Sequence, residues 1–175
     1  MQTRFGAALA AVLQHEGGYV HHPHDPGAHT NKGVTLETYR SYYGDDKTAT
    51  DLRAIPDGHV AHIYRDGYWI RCRCDELPAG VDYVVFDQAV NSGPIQSIKW
   101  LQTAAGVPRD GQLGPLTLAA VYETSPAMLI QEMCQLRIRI LQRLRNGTLW
   151  KHFGRGWKRR VAEVEETGIR MIVWT

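Results

Sequence analysis

The chain of 175 residues contains 43% apolar residues and has a formal charge of +2. This length and composition allow a buried core in one domain or two small lobes, and they exclude an intrinsically disordered protein. No run approaches the roughly 18 to 20 apolar residues that a membrane span needs, so we expect a soluble chain.

The cysteines indicate a reducing compartment. Their number is odd, and Cys72 and Cys74 lie too close in sequence for an ordinary disulfide, with Cys134 as the third. The N-terminal residues faintly resemble a signal peptide. Because Phe5 and Leu9 recur at helical spacing, we expect a retained first helix, and therefore synthesis in a bacterial cytoplasm without a signal peptide.

The first predicted element is a helix that begins at Thr3, a suitable N-cap, and ends at Glu16, with Gly17 as its left-handed stop. Residues 17–35 are rich in Gly, Pro, Asp, Asn and His, which predicts a turn-rich loop or a small β-hairpin.

Helices follow along the rest of the chain. Thr35 is expected to cap a short helix that ends at Gly44. The stretch VDYVVFDQAVNSGP is interpreted as a buried helix rather than a strand, and VPRDGQLGP as a turn. The other predicted helices cover Pro56–Tyr68, begin at Pro94 and at Pro115, run from Ser125 to Gly147 as the longest, and begin near Trp157.

Glu16 lies in the run HEGGY, at the predicted end of the first helix. The negative end of a helix dipole disfavours an ionised carboxylate, so this position suits a general acid. Asp25 and Thr30 follow on the returning loop and could face Glu16 across a cleft. Glycoside hydrolases cleave a glycosidic bond with a protonated carboxyl group and a second carboxylate.

Several motifs together resemble glycoside hydrolase family 108, the muramidases of phages and of bacterial secretion systems. The motifs are HEGGY, HDPGAHTNKGVT, YRDGYW and DYVVFDQAVNSGP. The stretch WLQTAAGVPRDGQLGPLT is similar to the peptidoglycan-binding module that accompanies this family. The resemblance implies a mainly α, lysozyme-like fold of two lobes, with a small irregular or β-hairpin segment after the first helix.

The resemblance also implies residue roles. Glu16 would be the catalytic acid, while Asp25 and Thr30 would position the attacking water, as in the related phage-type lysozymes. The bond cut would be the β-1,4 bond between N-acetylmuramic acid and N-acetylglucosamine. A carboxylate separation of about 6.5 to 9.5 Å would indicate inversion of configuration, and about 5 to 5.5 Å retention.

Other polar and aromatic residues are candidates for binding the substrate. Tyrosine rings can stack on sugar faces, although core packing is the alternative. Asp87 and Asn91 share a helix face and could line the cleft or brace it. The candidate substrate-binding residues are Tyr19, Asn31, Tyr39, Tyr68, Asp87, Gln88 and Asn91.

Three alternatives remain open. A lytic transglycosylase would cut the same bond without water, and a module that has lost activity would only bind peptidoglycan. The third alternative is a zinc peptidase or amidase, which four histidines at positions 21, 22, 24 and 29 suggest. These histidines lack the spacing of zinc ligands, so no metal or other cofactor is predicted.

The predicted organisation is a catalytic lobe over residues 1–92 and a helical, peptidoglycan-binding-like lobe over residues 93–175, packed as one compact unit. We expect a monomeric phage endolysin with antimicrobial, wall-lysing activity. It would reach the periplasm after holin-type release, with a secretion-helper role as the alternative. Its partner would be bacterial peptidoglycan and not nucleic acid.

A basic cluster near the C-terminus predicts weak contact with an anionic outer-membrane surface, or else a solvated helix face. The cluster consists of Lys151, His152, Arg155, Lys158, Arg159 and Arg160.

Overall fold

The computed structural model describes residues 3–21 and 29–173 of the chain. Within these ranges it is mainly helical, with a small antiparallel sheet after the first helix, so the predicted fold class is confirmed. The helices are α1 (Arg4–His15), α2 (Leu36–Tyr43), α3 (Ala49–Arg53), α4 (Asp57–Tyr64), α5 (Val81–Ser92), α6 (Pro94–Ala104), α7 (Pro115–Glu123), α8 (Pro126–Arg143) and α9 (Thr148–Met171). The strands are β1 (Val20–His21), β2 (His29–Asn31) and β3 (Val34–Thr35).

Contacts divide the chain into two compact units, residues 1–67 and 68–175. The first unit holds α1 to α4 and the sheet. The second holds α5 to α9. The predicted lobe boundary at residue 92 lies at the end of α5, one helix further along the chain.

Caps fix the ends of several helices in the first unit. The side chain of Thr3 accepts a hydrogen bond from the backbone N–H of Gly6 at 3.1 Å, which confirms it as the N-cap of α1. Thr35 caps α2 in the same way, and Gly44 ends that helix with a φ of 107°. These ends are set by local residue chemistry, which explains why the sequence predicted them.

The sheet has the order β1-β2-β3, with both strand pairs antiparallel. Thr30 in the central strand pairs with Val20 on one side and with Thr35 on the other. The predicted helix Pro56–Tyr68 is interrupted, because its regular α-helical part ends at Tyr64 and a π-helical segment covers Arg65–Ile70.

Helix α5 is the buried centre of the second unit. Every residue from Val81 to Ala89 is buried, and the helix packs against α6, α8 and α9. A helix that is buried on all its faces needs neighbours on every side. The prediction of a buried helix here is therefore confirmed.

Two predictions about the C-terminal helices are wrong. Helix α9 begins at Thr148 rather than near Trp157, and its 24 residues exceed the 18 of α8. The helix continues through Gly154, where an added Cβ would lie 2.8 Å from the Trp150 ring.

The three cysteines are buried as free thiols. Burial raises the pKa of the Cys134 thiol to about 12, so this thiol stays protonated at neutral pH. Among the described helices, none is long and apolar enough to span a bilayer.

Candidate active site

Glu16 lies directly after α1, as its C-cap, and its side chain is half-buried. The chain leaves the helix there in an extended conformation, with φ −81° and ψ 133°. Neither Gly17 nor Gly18 has a positive φ, so the predicted left-handed stop at Gly17 is wrong. At Glu16 the chain changes from helical to extended conformation and continues towards β1.

A tight turn between β2 and β3 brings backbone against the Glu16 carboxylate. Lys32 and Gly33, the two turn residues, have φ values of 48° and 74°. Two consecutive left-handed residues form the turn type that matches the twist of a two-residue hairpin. A Cβ placed on Gly33 would lie 3.0 Å from Glu16 Oε2, so the turn contacts the acid through a position where only glycine fits.

Tyr64 completes this contact from α4. Its hydroxyl donates to the Lys32 carbonyl at 3.0 Å and would lie 2.1 Å from a Cβ on Gly33. The Glu16 carboxylate and the Tyr64 hydroxyl thus flank one point of the turn. Sequence reasoning did not assign either Tyr64 or Gly33 a role, although both lie inside quoted motifs, YRDGYW and TNKG.

Thr30 lies one residue before Asn31 in β2, and the two side chains point to opposite faces of the sheet. Asp25 lies outside the described residues. The predicted separation between the carboxylates of Glu16 and Asp25 therefore stays a prediction. The roles of Glu16, Asp25 and Thr30 therefore stay predictions.

Asn31 is buried, and its amide nitrogen donates to two backbone carbonyls at the end of α3. The acceptors are Leu52 at 2.9 Å and Arg53 at 3.0 Å. These bonds tie β2 to α3 and satisfy two carbonyl groups at a helix end. They give Asn31 a structural task, and its predicted contact with substrate stays a prediction.

Two candidate tyrosines pair with histidines. The Tyr19 hydroxyl lies 2.6 Å from His29 Nδ1, and the Arg53 guanidinium lies over the Tyr19 ring at 4.3 Å from its centre. Tyr39 is buried, with its hydroxyl 3.1 Å from His59 Nδ1. Burial favours the core-packing interpretation for Tyr39, whereas Tyr19 is only half-buried.

The second unit holds the remaining candidates. Asp87 is fully buried between two cations, with Arg137 Nη1 2.5 Å from its Oδ2 and Arg160 Nη2 3.1 Å from its Oδ1. Asn91 donates to the Asp87 carbonyl at 2.7 Å. These contacts correspond to the bracing alternative for Asp87, and a substrate role stays a prediction.

Gln88 and Tyr68 differ in burial. Gln88 is buried, and its amide nitrogen donates to the Met133 carbonyl of α8 at 3.2 Å. Tyr68 lies half-buried in the π-helical segment.

Within residues 3–21 and 29–173, no group of three or more His, Cys, Asp or Glu side chains could hold a metal ion, while His22 and His24 lie outside those ranges.

Comparisons with known proteins point to one family. Residues 9–93 match the family model described as Glycosyl hydrolase 108, and residues 96–162 match one described as Predicted Peptidoglycan domain. A solved structure titled Structure of Brucella abortus SagA is 38% identical, with a TM-score of 0.82 over 97% of this chain and 95% of that one. No curated protein matches the chain.

Proposed function

Since the chain belongs to the glycosyl hydrolase 108 family, we propose that it is an N-acetylmuramidase that hydrolyses the β-1,4 bond between N-acetylmuramic acid and N-acetylglucosamine. Family membership and the accompanying peptidoglycan domain indicate a glycoside hydrolase that acts on peptidoglycan. The bond and the roles of the residues are our proposal.

The observation that carries the proposal is the position of Glu16. Its carboxylate lies inside the segment that matches the hydrolase family, at a helix end, against the turn at Gly33. A catalytic acid must be held in place by rigid surroundings if its proton is to reach the leaving oxygen. The turn and Tyr64 supply such surroundings.

In the proposed mechanism, Glu16 protonates the glycosidic oxygen as the bond to the sugar breaks. Asp25 accepts a proton from a water molecule on the opposite face of the sugar, and Thr30 helps to orient that water. The water adds to the sugar carbon, and the configuration there inverts. No metal or organic cofactor takes part.

Replacing Glu16 by Gln tests the role of the acid. We expect Glu16→Gln to lower the rate of wall hydrolysis by at least about 100-fold, because a general acid contributes that much, while binding to purified peptidoglycan persists. Unchanged hydrolysis would contradict the proposal. Mass spectrometry of the products separates hydrolysis from a lytic transglycosylase, whose anhydro product is lighter by one water.

For the biological setting, we propose a phage endolysin that acts as a monomer in the periplasm after holin-type release. The buried free thiols support synthesis in a reducing compartment. Co-expression with and without a holin tests the setting, since lysis should need the holin. Sedimentation analysis tests the monomer. Contact of the basic cluster with an outer-membrane surface remains a separate prediction.

A further inference from the structure

The second unit contains a cavity of about 610 Å³ that the proposed mechanism does not use. Its volume lies in the range of pockets that hold small molecules. It opens between the end of α5, the start of α6, the C-terminal half of α8 and the middle of α9. The lining residues are Asn91, Ser92, Gln96, Trp100, Arg109, Arg137, Ile140, Leu141, Leu144, Trp157 and Arg160.

The cavity is positively charged. Three arginines line it, and its lining includes no Asp or Glu. Behind the wall, Asp87 pairs with both Arg137 and Arg160, so one carboxylate faces two guanidinium groups. A guanidinium has five N–H donors, and Arg137 uses only Nη1 on Asp87 among its contacts in the described part of the chain.

Arg109 adds a third positive charge from a rigid turn. It is exposed, and the neighbouring Asp110 accepts a hydrogen bond from the buried Gln102 amide at 2.6 Å. The Gln102 carbonyl oxygen accepts from the Gly111 N–H at 2.9 Å. Gln102 thus fixes the turn that carries Arg109, and this turn lies within VPRDGQLGP, a stretch that has no role in the proposed mechanism.

The other walls are apolar. Ile140 and Leu144 line the cavity, and Leu144 is 39% exposed. Trp157 is half-buried. Trp100 is 4% exposed, and its Nε1–H has no hydrogen-bond acceptor among residues 3–21 and 29–173. These side chains give the cavity an apolar surface beside its arginines.

We propose that this cavity binds a carboxylate-bearing stem peptide of peptidoglycan. Arginine forks match carboxylate geometry, short aliphatic side chains such as that of alanine fit the apolar walls, and peptide groups find partners in Asn91, Ser92 and Gln96. Most lining residues lie within residues 96–162, the segment that matches the peptidoglycan domain. The choice of peptidoglycan as ligand source rests on the proposed function.

An anionic membrane is a different partner and fits this site less well. A bilayer surface is broad and would meet the exposed basic side chains of α9, such as Lys151 and Arg155, before it reached a recess. The recess instead combines charge, amide groups and apolar walls within one small volume, which suits a short peptide.

Calorimetry with the full-length protein tests the proposal. The probe is the tetrapeptide L-alanyl-γ-D-glutamyl-diaminopimelyl-D-alanine, compared with the same peptide carrying amidated carboxyl groups. We expect the amidated peptide to bind at least about tenfold more weakly. Arg109→Gln should weaken tetrapeptide binding about three- to tenfold, and Gln96→Glu at least about tenfold, because it places a carboxylate among the arginines.

Arg155→Gln is the matched control, since it removes an exposed charge from α9 outside the cavity and should change binding less than twofold. Melting temperatures check that each variant folds. Equal binding of the two peptides, or full binding by Gln96→Glu, would overturn the proposal. So would binding of phosphatidylglycerol vesicles, but not of the tetrapeptide, at this cavity.

The test is independent of catalysis. Hydrolysis of glycan strands that lack stem peptides should be unchanged in Arg109→Gln and Gln96→Glu, and tetrapeptide binding should persist in Glu16→Gln. If Glu16→Gln hydrolyses the wall normally while the tetrapeptide binds as expected, the proposed function fails and the binding site stands.

Discussion

Gly33 constrains the candidate site through its backbone and through its missing side chain. Its φ of 74° costs an L-residue about 1 to 2 kcal/mol. An added Cβ would also lie 2.1 Å from the hydroxyl of Tyr64, a rigid ring that is 2% exposed and hydrogen-bonded to Lys32. Neither the turn nor the ring can move without disturbing Glu16, which contacts the same point.

We therefore predict that Gly33→Ala lowers the free energy of unfolding by about 2 to 4 kcal/mol, as backbone strain and overpacking add. Wall hydrolysis should fall at least about tenfold, because small displacements of a catalytic group are costly. Urea denaturation and turnover assays measure the two effects.

Gly106→Ala is the matched control for this prediction. Gly106 has a similar φ of 70°, but an added Cβ would meet no atom within 4 Å in the part of the chain that the structure describes. It should lose about 1 kcal/mol of stability and no activity. If Gly33→Ala behaves like this control, the turn does not position the acid.

The same residues show how far sequence reasoning reaches. Glu16 could be proposed from its place before two glycines, because a helix end is a local property. Gly33, whose turn contacts Glu16, lies 17 positions along the chain, and Tyr64, which flanks the same point of the turn, lies 48 positions along. The periodicity of a sequence does not report contacts between residues so far apart. Lys32 is harder still, since its left-handed conformation is rare outside glycine.

At the scale of elements, helix starts marked by Thr3, Thr35 and Pro94 were predicted correctly, since caps and N-terminal prolines act locally. Helix α9 was placed too late because glycines at 154 and 156 are typical of a break. Gly154 is retained by packing against Trp150, a contact that local propensity does not include.

Helix α9 also offers a test of glycine in a packed helix. Gly168 lies where α9 approaches α5, and a Cβ there would lie 2.8 Å from Val84 Cγ2. We predict that Gly168→Ala lowers the free energy of unfolding by about 1 to 3 kcal/mol despite the higher helix propensity of alanine.

Gly156→Ala is the counterpart in the same helix, because an added Cβ would meet no described atom within 4 Å. It should raise the free energy of unfolding by about 0.5 to 1 kcal/mol. Thermal denaturation of the two variants gives opposite signs. Stabilisation by both would show that α9 and α5 are not closely packed at Gly168.

Helix α3 connects a cap to the candidate site. The side chains of Thr48 and Asp51 form a capping box, and the α3 carbonyls of Leu52 and Arg53 hold Asn31 in β2. Thr48→Ala should therefore cost about 1 kcal/mol of stability. Hydrogen bonds from Thr48 also hold the pKa of Asp51 below its ordinary value.

A carboxylate with a lowered pKa stabilises the fold at pH values above its ordinary pKa, which is about 3.9 for Asp. This contribution is lost as the pH falls through the lowered pKa. The difference in melting temperature between wild type and Asp51→Asn should stay constant down to about pH 4 and shrink below it. A difference that grows towards acid pH would contradict the assignment.

At the scale of the whole molecule, the match to the hydrolase family and the contacts between residues place the boundary within the chain at different positions. The hydrolase match ends at residue 93, after α5, whereas the contacts group α5 with the second unit. The reason is burial. Nine consecutive residues of α5 are buried, and its neighbours α6, α8 and α9 all follow residue 93.

A fragment of residues 1–93 should therefore fail to fold on its own, although it contains the entire hydrolase match. Each Val or Phe that α5 would expose contributes about 1.5 to 3 kcal/mol, and several together equal the roughly 5 to 15 kcal/mol that stabilises a typical domain. Gel filtration and thermal denaturation should show aggregation without a cooperative transition, and no hydrolysis, while the full chain melts cooperatively. A monomeric, cooperative and active fragment would mean that α5 does not need α6, α8 and α9 for its stability and that the hydrolase segment is an independent domain.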